Sequence, residues 1–287
     1  MRYRLELDGT ARRVGVELEY LLTEQPGHGE ELARNAVDRG HDLVLAWGGD
    51  GTYNEVARGL AGSRTAMGVL PGGTTSVLAY EFGVPRPVTR SLVPLLAGFD
   101  RPMHLGRTDR GDVVVLMLSA GPDSLIVRDA FRRRRRYDGK LGIAAQAIRE
   151  LLGRRPLPRL SVRVGDHALD GGWVIVGNSQ CFAGNYRATP GADPFAPGFE
   201  VVVHRGRGRL SATAFAAGIP FGRHVNRSDV TVLRCNRVTV EPVPGDAPIP
   251  YQVDGDPIDG LPVTLEVDSR RLLIRMPASG ELDRGEC

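Results

Sequence analysis

The sequence predicts an α/β domain followed by an all-β domain: a doubly wound α/β unit over residues 1–102, an antiparallel β-sandwich over 103–277 and a tail over 278–287. Three observations lead there. Up to about residue 102, apolar runs of strand length alternate with stretches of helical period, the pattern of a parallel sheet covered by helices. Beyond residue 103, short β-rich runs follow one another between Gly, Pro, Asp and Asn, as in a sandwich or barrel. The 287 residues, 41% hydrophobic and 25% charged, suffice for two domains with cores of their own.

In order along the chain, residues 14–23 (VGVELEYLLT) alternate as a strand does. GHGEELARNAVDRG then spaces Leu32, Ala33, Ala36 and Val37 as a helix closed by Gly40. DLVLAW reads as a buried strand, TYNEVARGLAG as a helix ending near Gly59 to Gly62, and AMGVLPGG as a short strand with its turn. TTSVLAYEFG reads as a helix stopped by Gly83 and Pro85. In the second part the strands are DVVVLMLSAG, RLSVRVG, GGWVIVGNS, FEVVVH, DVTVLR, RVTVEP, PYQVDG, VTLEVD and RLLIRMP. A helical insertion over 123–153 carries RRRRR and LGIAAQAIRELL.

Composition narrows the function. No apolar run reaches the roughly 18 residues of a membrane span, and MRYRLELDGTARR lacks the apolar core of a secretory signal, so a cytoplasmic protein is expected. Cys181, Cys235 and Cys287 make no CxxC pair and suggest neither a disulfide framework nor a zinc site. The six histidines show no HExxH spacing, and no GxSxG occurs, which removes metal-hydrolase and serine-hydrolase readings. The net charge of +3 is asymmetric, since residues 1–102 hold 11 Arg against 13 acids and the basic excess falls in the second part. Lys140 is the only lysine, so a GxxxxGK[ST] loop is impossible. Any nucleotide must be held by backbone amides, arginine, hydroxyls or metal.

The stretch LVLAWGGDGTYNEVARGL supplies such a site. A strand ending in Gly48-Gly49 passes Asp50-Gly51-Thr52 and enters a helix, which presents amide N–H groups at the positive end of the helix dipole. Asp50 by itself repels phosphate. It fits either with Mg²⁺ between carboxylate and phosphate, or as a turn or helix-capping residue. A second glycine turn, with Gly72, Gly73 and Thr74, follows one strand and one helix later, and in a parallel sheet both loops leave the same edge. It reads equally as an ordinary tight turn with a Thr cap.

GGDGT followed by Asn54-Glu55, then MGVLPGGTT, VGNS and the late QVDGD, resemble the diacylglycerol kinase catalytic-domain family, which takes in bacterial lipid kinases and the sphingosine and ceramide kinases. The resemblance spans nearly the whole chain, and GGDGT-x-NE is its most specific part. It implies an NAD kinase/diacylglycerol kinase-like nucleotide-binding domain and a lipid-binding β-sandwich, with ATP and Mg²⁺ as cofactors. The implied ATP contacts are Thr23, Gly48, Gly49, Asp50, Gly51, Thr52, Asn54, Glu55, Gly72, Gly73 and Thr74. Asp50 would also position the metal-nucleotide. The family's late motif is DGE, with the glutamate as general base. Asp256 matches it one methylene shorter, and Asp254 matches the preceding aspartate that orients the site. Without the resemblance, DGD is a polar hairpin turn.

The resemblance implies phosphorylation of a diacylglycerol-like lipid at the inner face of the membrane. Arg132, Arg133, Arg134, Arg135 and Arg136 would contact the bilayer, or form a plain solvated helix. A homodimer is expected and nucleic-acid binding is not. Two rivals stand beside this reading: an inactive lipid-binding protein of the same fold, which the departures below motivate, and a kinase for a soluble acceptor such as NAD, which keeps the chemistry and changes the substrate. The stretch before residue 14 is too short for the family's first strand and its NPxSG-like loop, so either a longer protein exists or the ATP site lacks one edge. Ser76-Val77 replace an Asn-Asp pair. Pro197-Gly198 replace a DG turn that helps bind a structural Mg²⁺.

Overall fold

The computed structural model describes residues 2–73, 75–132, 157–244 and 248–278. The chain forms two compact units. One runs from the N-terminus to Met103 and resumes at Arg270; the other is His104–Ser269.

The first unit contains α1 (Arg2–Arg13), α2 (His28–Asp38), β1 (Leu43–Gly48), α3 (Asp50–Leu60), β2 (Ala66–Pro71), α4 (Val77–Glu81) and α5 (Val88–Leu96). β1 and β2 run parallel from Leu43↔Ala66 to Gly48↔Pro71, and Ile274 of the last strand joins β2 in parallel at Met67. β2 is buried from Ala66 to Leu70, as a central parallel strand must be. The expected strand at 14–23 does not form. Its alternation is real, yet those residues have no ladder partner; Val14, Leu21 and Leu22 are exposed, and Glu19 pairs with Arg39 at 2.8 Å. Instead α1, unforeseen from the sequence, buries Leu7 and Ala11 at i,i+4 spacing and packs on α5.

The second unit begins inside β3 (Phe99–Thr108). It continues with β4 (Val113–Val114), β5 (Met117–Ala120), α6 (Pro122–Arg132), β6 (Leu160–Val164), β7 (His167–Gly171) and β8 (Trp173–Gly177). Then come β9 (Cys181–Phe182), β10 (Tyr186–Arg187), β11 (Phe199–His204), α7 (Gly208–Gly218), β12 (Val230–Cys235), β13 (Arg237–Pro242), β14 (Tyr251–Val253), β15 (Asp256–Ile258) and β16 (Val263–Met276). One antiparallel sheet has the order β12-β11-β8-β5-β14-β15; the facing one contains β7, β6, β13 and the first half of β16.

Side chains from both sheets meet in the expected sandwich core, among them Leu118, Val176, Val201 and Tyr251 against Leu160, Val162, Val240 and Leu265. β8 and β11 are buried on both faces, because α7 covers the outer side with Phe215 against Trp173 and His204. That second cover explains why WVIVG and FEVVVH read as continuous apolar runs.

Two expectations need correction. VTLEVD and RLLIRMP form one 14-residue strand, because Asp268 is buried and accepts a bond from Arg107 (2.9 Å) instead of opening a turn. Residues from Arg270 therefore belong to the first unit, not to a sandwich reaching 277. Of the insertion at 123–153, α6 is seen to Arg132; Arg133, Arg134, Arg135 and Arg136 lie outside the described residues.

Phe199, 1% exposed in the sandwich core, sets the scale of packing. Phe199→Ala is expected to cost about 3–5 kcal/mol in urea denaturation.

Candidate active site

In the first unit, β1 and β2 end side by side, so their loops meet backbone to backbone. The amides of Gly72 and Gly73 both donate to the Gly48 carbonyl at 2.9 Å. A Cβ on Gly73 would lie 2.6 Å from the Cα of Gly49, which only glycine avoids. Tyr53, fully buried one turn into α3, places its hydroxyl 2.7 Å from the Gly48 carbonyl and 3.0 Å from that of Leu70, clamping both strand ends. No side chain caps α3, so its first amides and its dipole face outward at Asp50-Gly51-Thr52. A Cβ on Gly51 would meet nothing within 4 Å, whereas Thr52 lies over Gly48.

Asp50 is turned into the second loop. Its carboxylate accepts the Thr75 hydroxyl at 2.7 Å and the Val77 amide at 2.6 Å, which caps α4 and fixes the distance between the loops. Burial pushes its carboxyl up, opposed by those donors. Asp50 does not cap its own helix; its partners lie 25 and 27 residues further along the chain. Glu55, expected among the ATP contacts, is placed elsewhere: its two oxygens accept the amides of Gly27 (2.8 Å) and Gly29 (2.9 Å), capping α2. Thr23 is exposed in the unpaired segment before α2, and Thr74 lies outside the described residues. Asn54 is buried, and its Oδ1 has no donor, the sort of orphan acceptor that costs about 1–3 kcal/mol unless a ligand or water serves it. Arg86 approaches the carbonyls of Gly73 (3.4 Å) and Thr75 (3.2 Å), bringing a cation to the loop.

A nucleotide's phosphates fit this half, given the uncapped α3 terminus, the open space at Gly51 and the cation of Arg86. Magnesium held by protein alone does not fit. Among the described residues no three His, Cys, Asp or Glu side chains gather, and both oxygens of Asp50 already accept bonds. An ion arriving with the phosphates needs few protein ligands.

The second unit carries QVDGD as a hairpin. Val253 pairs with Asp256, leaving Asp254 and Gly255 as a two-residue turn with φ of 52° and 96°. The Asp254 carboxylate is turned inward and accepts three amides, from Val115 (2.7 Å), Leu116 (2.8 Å) and Met117 (2.8 Å). Burial pushes its carboxyl up to about 6 against those bonds. Asp256 is exposed on the other side of the turn. Asn178 of VGNS donates to the carbonyls of His104 (2.8 Å) and Val115 (2.9 Å), which steadies the corner that Asp254 grips.

Sequence reasoning missed the chain of bonds behind this turn. Gln252 accepts the Gly255 amide (2.7 Å) and donates to Ser119 (2.7 Å), and Ser119 in turn donates to Asp123. Asp123 is fully enclosed, and burial pushes it up to about 6. No local motif announces these residues, because Gln252 and Ser119 meet only through the β14–β5 pairing.

Two family profiles divide the chain between them. That of the diacylglycerol kinase catalytic domain matches residues 3–108, and that of the YegS C-terminal NAD kinase beta sandwich-like domain matches residues 116–275, more than half of the chain. The chain belongs to the diacylglycerol kinase and YegS-like family. Diacylglycerol kinase of Mycobacterium tuberculosis (strain ATCC 25618 / H37Rv) is 26% identical over 273 residues, covering 93% of this chain and 87% of that protein. A "Probable lipid kinase YegS-like" protein of Klebsiella pneumoniae (strain 342) is 23% identical over 270 residues, covering 93% and 88%. A diacylglycerol kinase structure from Bacillus anthracis str. Sterne superimposes with a TM-score of 0.70 at 14% identity, covering 96% of this chain and 91% of that one, and so shares the fold. Membership of a kinase family supports a phosphotransferase, and it implies ATP with a divalent metal.

Within this kinase fold the raised Asp123 has a measurable signature. A carboxyl raised from its ordinary value to about 6 binds its proton more tightly in the folded state, so its contribution to stability falls as pH rises from about 4 through 6. Asp123→Asn removes that dependence. Relative to wild type, the variant is expected to gain roughly 2 kcal/mol between pH 4.5 and pH 8 in denaturation experiments. A constant difference would show that Asp123 does not titrate in this range.

Proposed function

We propose that the chain transfers the γ-phosphoryl group of ATP to the hydroxyl of a diacylglycerol-like lipid. The observation that carries the reading is the DGD hairpin, in which three amides hold Asp254 inward while Asp256 is exposed to solvent, where a carboxylate can act as a base. Phosphoryl transfer asks little covalent chemistry of a protein, and one positioned carboxylate suffices for the alcohol proton.

ATP bound at the glycine loops supplies the phosphoryl group. The N-terminus of α3 holds phosphate oxygens through backbone amides, Gly51 lets them approach closely, and Arg86 offsets their charge. Asp256 takes the proton of the lipid hydroxyl as the hydroxyl oxygen bonds to the γ-phosphorus and the bond from that phosphorus to the β,γ-bridging oxygen breaks, with ADP as the leaving group. Asp50 acts indirectly by keeping the second loop against the first. Among the described residues no helix is long and apolar enough to cross a membrane.

The test is transfer of labelled phosphate from Mg-ATP to diacylglycerol in mixed vesicles, with NAD offered in parallel as a soluble acceptor. Lipid-linked label is expected. Label on NAD alone would move the reading to a soluble acceptor, and label on neither would support an inactive lipid-binding protein. Gly51→Leu separates fold from function, because a side chain there meets only open space. We expect an unchanged melting temperature and a KM for ATP raised on the order of tenfold or more.

A further inference from the structure

α7 is an unusual surface helix. Its inner face is buried through Ala212 and Phe215, with Ile219 continuing it into the short turn Ile219–Phe221. Its outer face should be polar if it meets only water. Instead Leu210, Ala214, Ala217 and Phe221 follow at i, i+4, i+7 and i+11, and all four are exposed. Leu210 is 89% and Phe221 74% exposed, so two large apolar side chains project from the two ends of a smooth alanine stripe.

The chain segment that carries this stripe has one sign of charge. From Val201 to Ser228 the chain contains five arginines and no Asp or Glu. Arg205 and Arg207 are exposed just before α7, and Arg223 just after the turn. Arg187, also exposed, lies on β10, which packs against that turn. The nearest following acid, Asp229, is already engaged by Arg227 at 2.7 Å and by Ser211.

An apolar stripe with exposed arginines at both of its ends matches a helix lying in the plane of a bilayer, with its side chains among the acyl chains and its cations at anionic headgroups. We infer that the outer face of α7 with the turn Ile219–Phe221 seats the protein on an anionic lipid surface. The inference rests on the lipid-kinase reading for its purpose, since a lipid acceptor has to be met at such a surface. It is independent of the arginine run beginning at Arg132, whose described member is paired with Asp259 at 3.7 Å.

The experiment is sedimentation of the full chain with vesicles of phosphatidylglycerol and phosphatidylcholine, and with phosphatidylcholine alone, without nucleotide. Wild type is expected to bind the anionic vesicles, with about a fivefold gain per arginine engaged. Leu210→Glu/Phe221→Glu should weaken that binding on the order of a hundredfold. Arg205→Glu/Arg207→Glu should weaken it by at least about tenfold, selectively on anionic vesicles. Melting temperatures should not move, because the altered side chains are exposed. Wild-type binding by Leu210→Glu/Phe221→Glu overturns the inference, the more so if Phe131→Glu on α6 abolishes binding. A wild type that ignores anionic vesicles also overturns it and leaves an acidic protein surface as the occupant.

Phosphoryl transfer to a short-chain diacylglycerol in detergent micelles, run in parallel, should be equal in wild type and Leu210→Glu/Phe221→Glu. If no protein transfers phosphate but vesicle binding still depends on Leu210 and Phe221, the kinase reading fails and the docking face stands.

Discussion

The second unit is organised around one carboxylate. Asp254 sits in a left-handed backbone conformation that non-glycine residues adopt at a cost, and it is kept there by three amides from the corner between β4 and β5. Hydrogen bonds from neutral donors to a charged acceptor contribute about 1.5–3 kcal/mol each, which offsets the strain and part of the burial that raises this carboxyl. Asp256, the first residue after the two-residue turn, is exposed at the hairpin's end. Gln252, Ser119 and Asp123 brace the turn from behind, and Asn178 braces the corner that supplies the amides.

The same use of acids recurs in the first unit. Asp50 holds the second glycine loop through Val77 and Thr75, and Glu55 holds the start of α2 through Gly27 and Gly29. In both places an acid of the motif accepts backbone amides of another loop. The chemistry left to the loops comes from what the anchoring exposes: an uncapped helix terminus, open space at Gly51 and the cation of Arg86. A phosphate site built this way needs no lysine, in keeping with a chain that has only Lys140.

Much of this was legible in the residues. Glycine spacing located both loops, and alternating runs located most sandwich strands, because turn chemistry and the two-residue period are local properties. What stayed hidden depends on partners distant in sequence. Residues 14–23 have strand periodicity but no ladder to join, and Asp268 looked like a turn residue until Arg107 paired with it. α7 escaped because its apolar outer face blurs the helical period. The bonds of Glu55 stayed hidden for the same reason, since its amide partners lie 26 and 28 residues upstream.

The central claim is a division of labour between two acids one residue apart, Asp254 as anchor and Asp256 as base. It is tested by measuring melting temperature and turnover for Asp254→Asn and Asp256→Asn side by side. The account predicts that Asp254→Asn lowers the melting temperature by several degrees, because an amide cannot accept three N–H groups as a carboxylate does. It predicts that Asp256→Asn leaves melting within about 1 °C while kcat falls on the order of 10²- to 10⁴-fold. Near-normal turnover in Asp256→Asn, or a melting temperature untouched by Asp254→Asn, would contradict it.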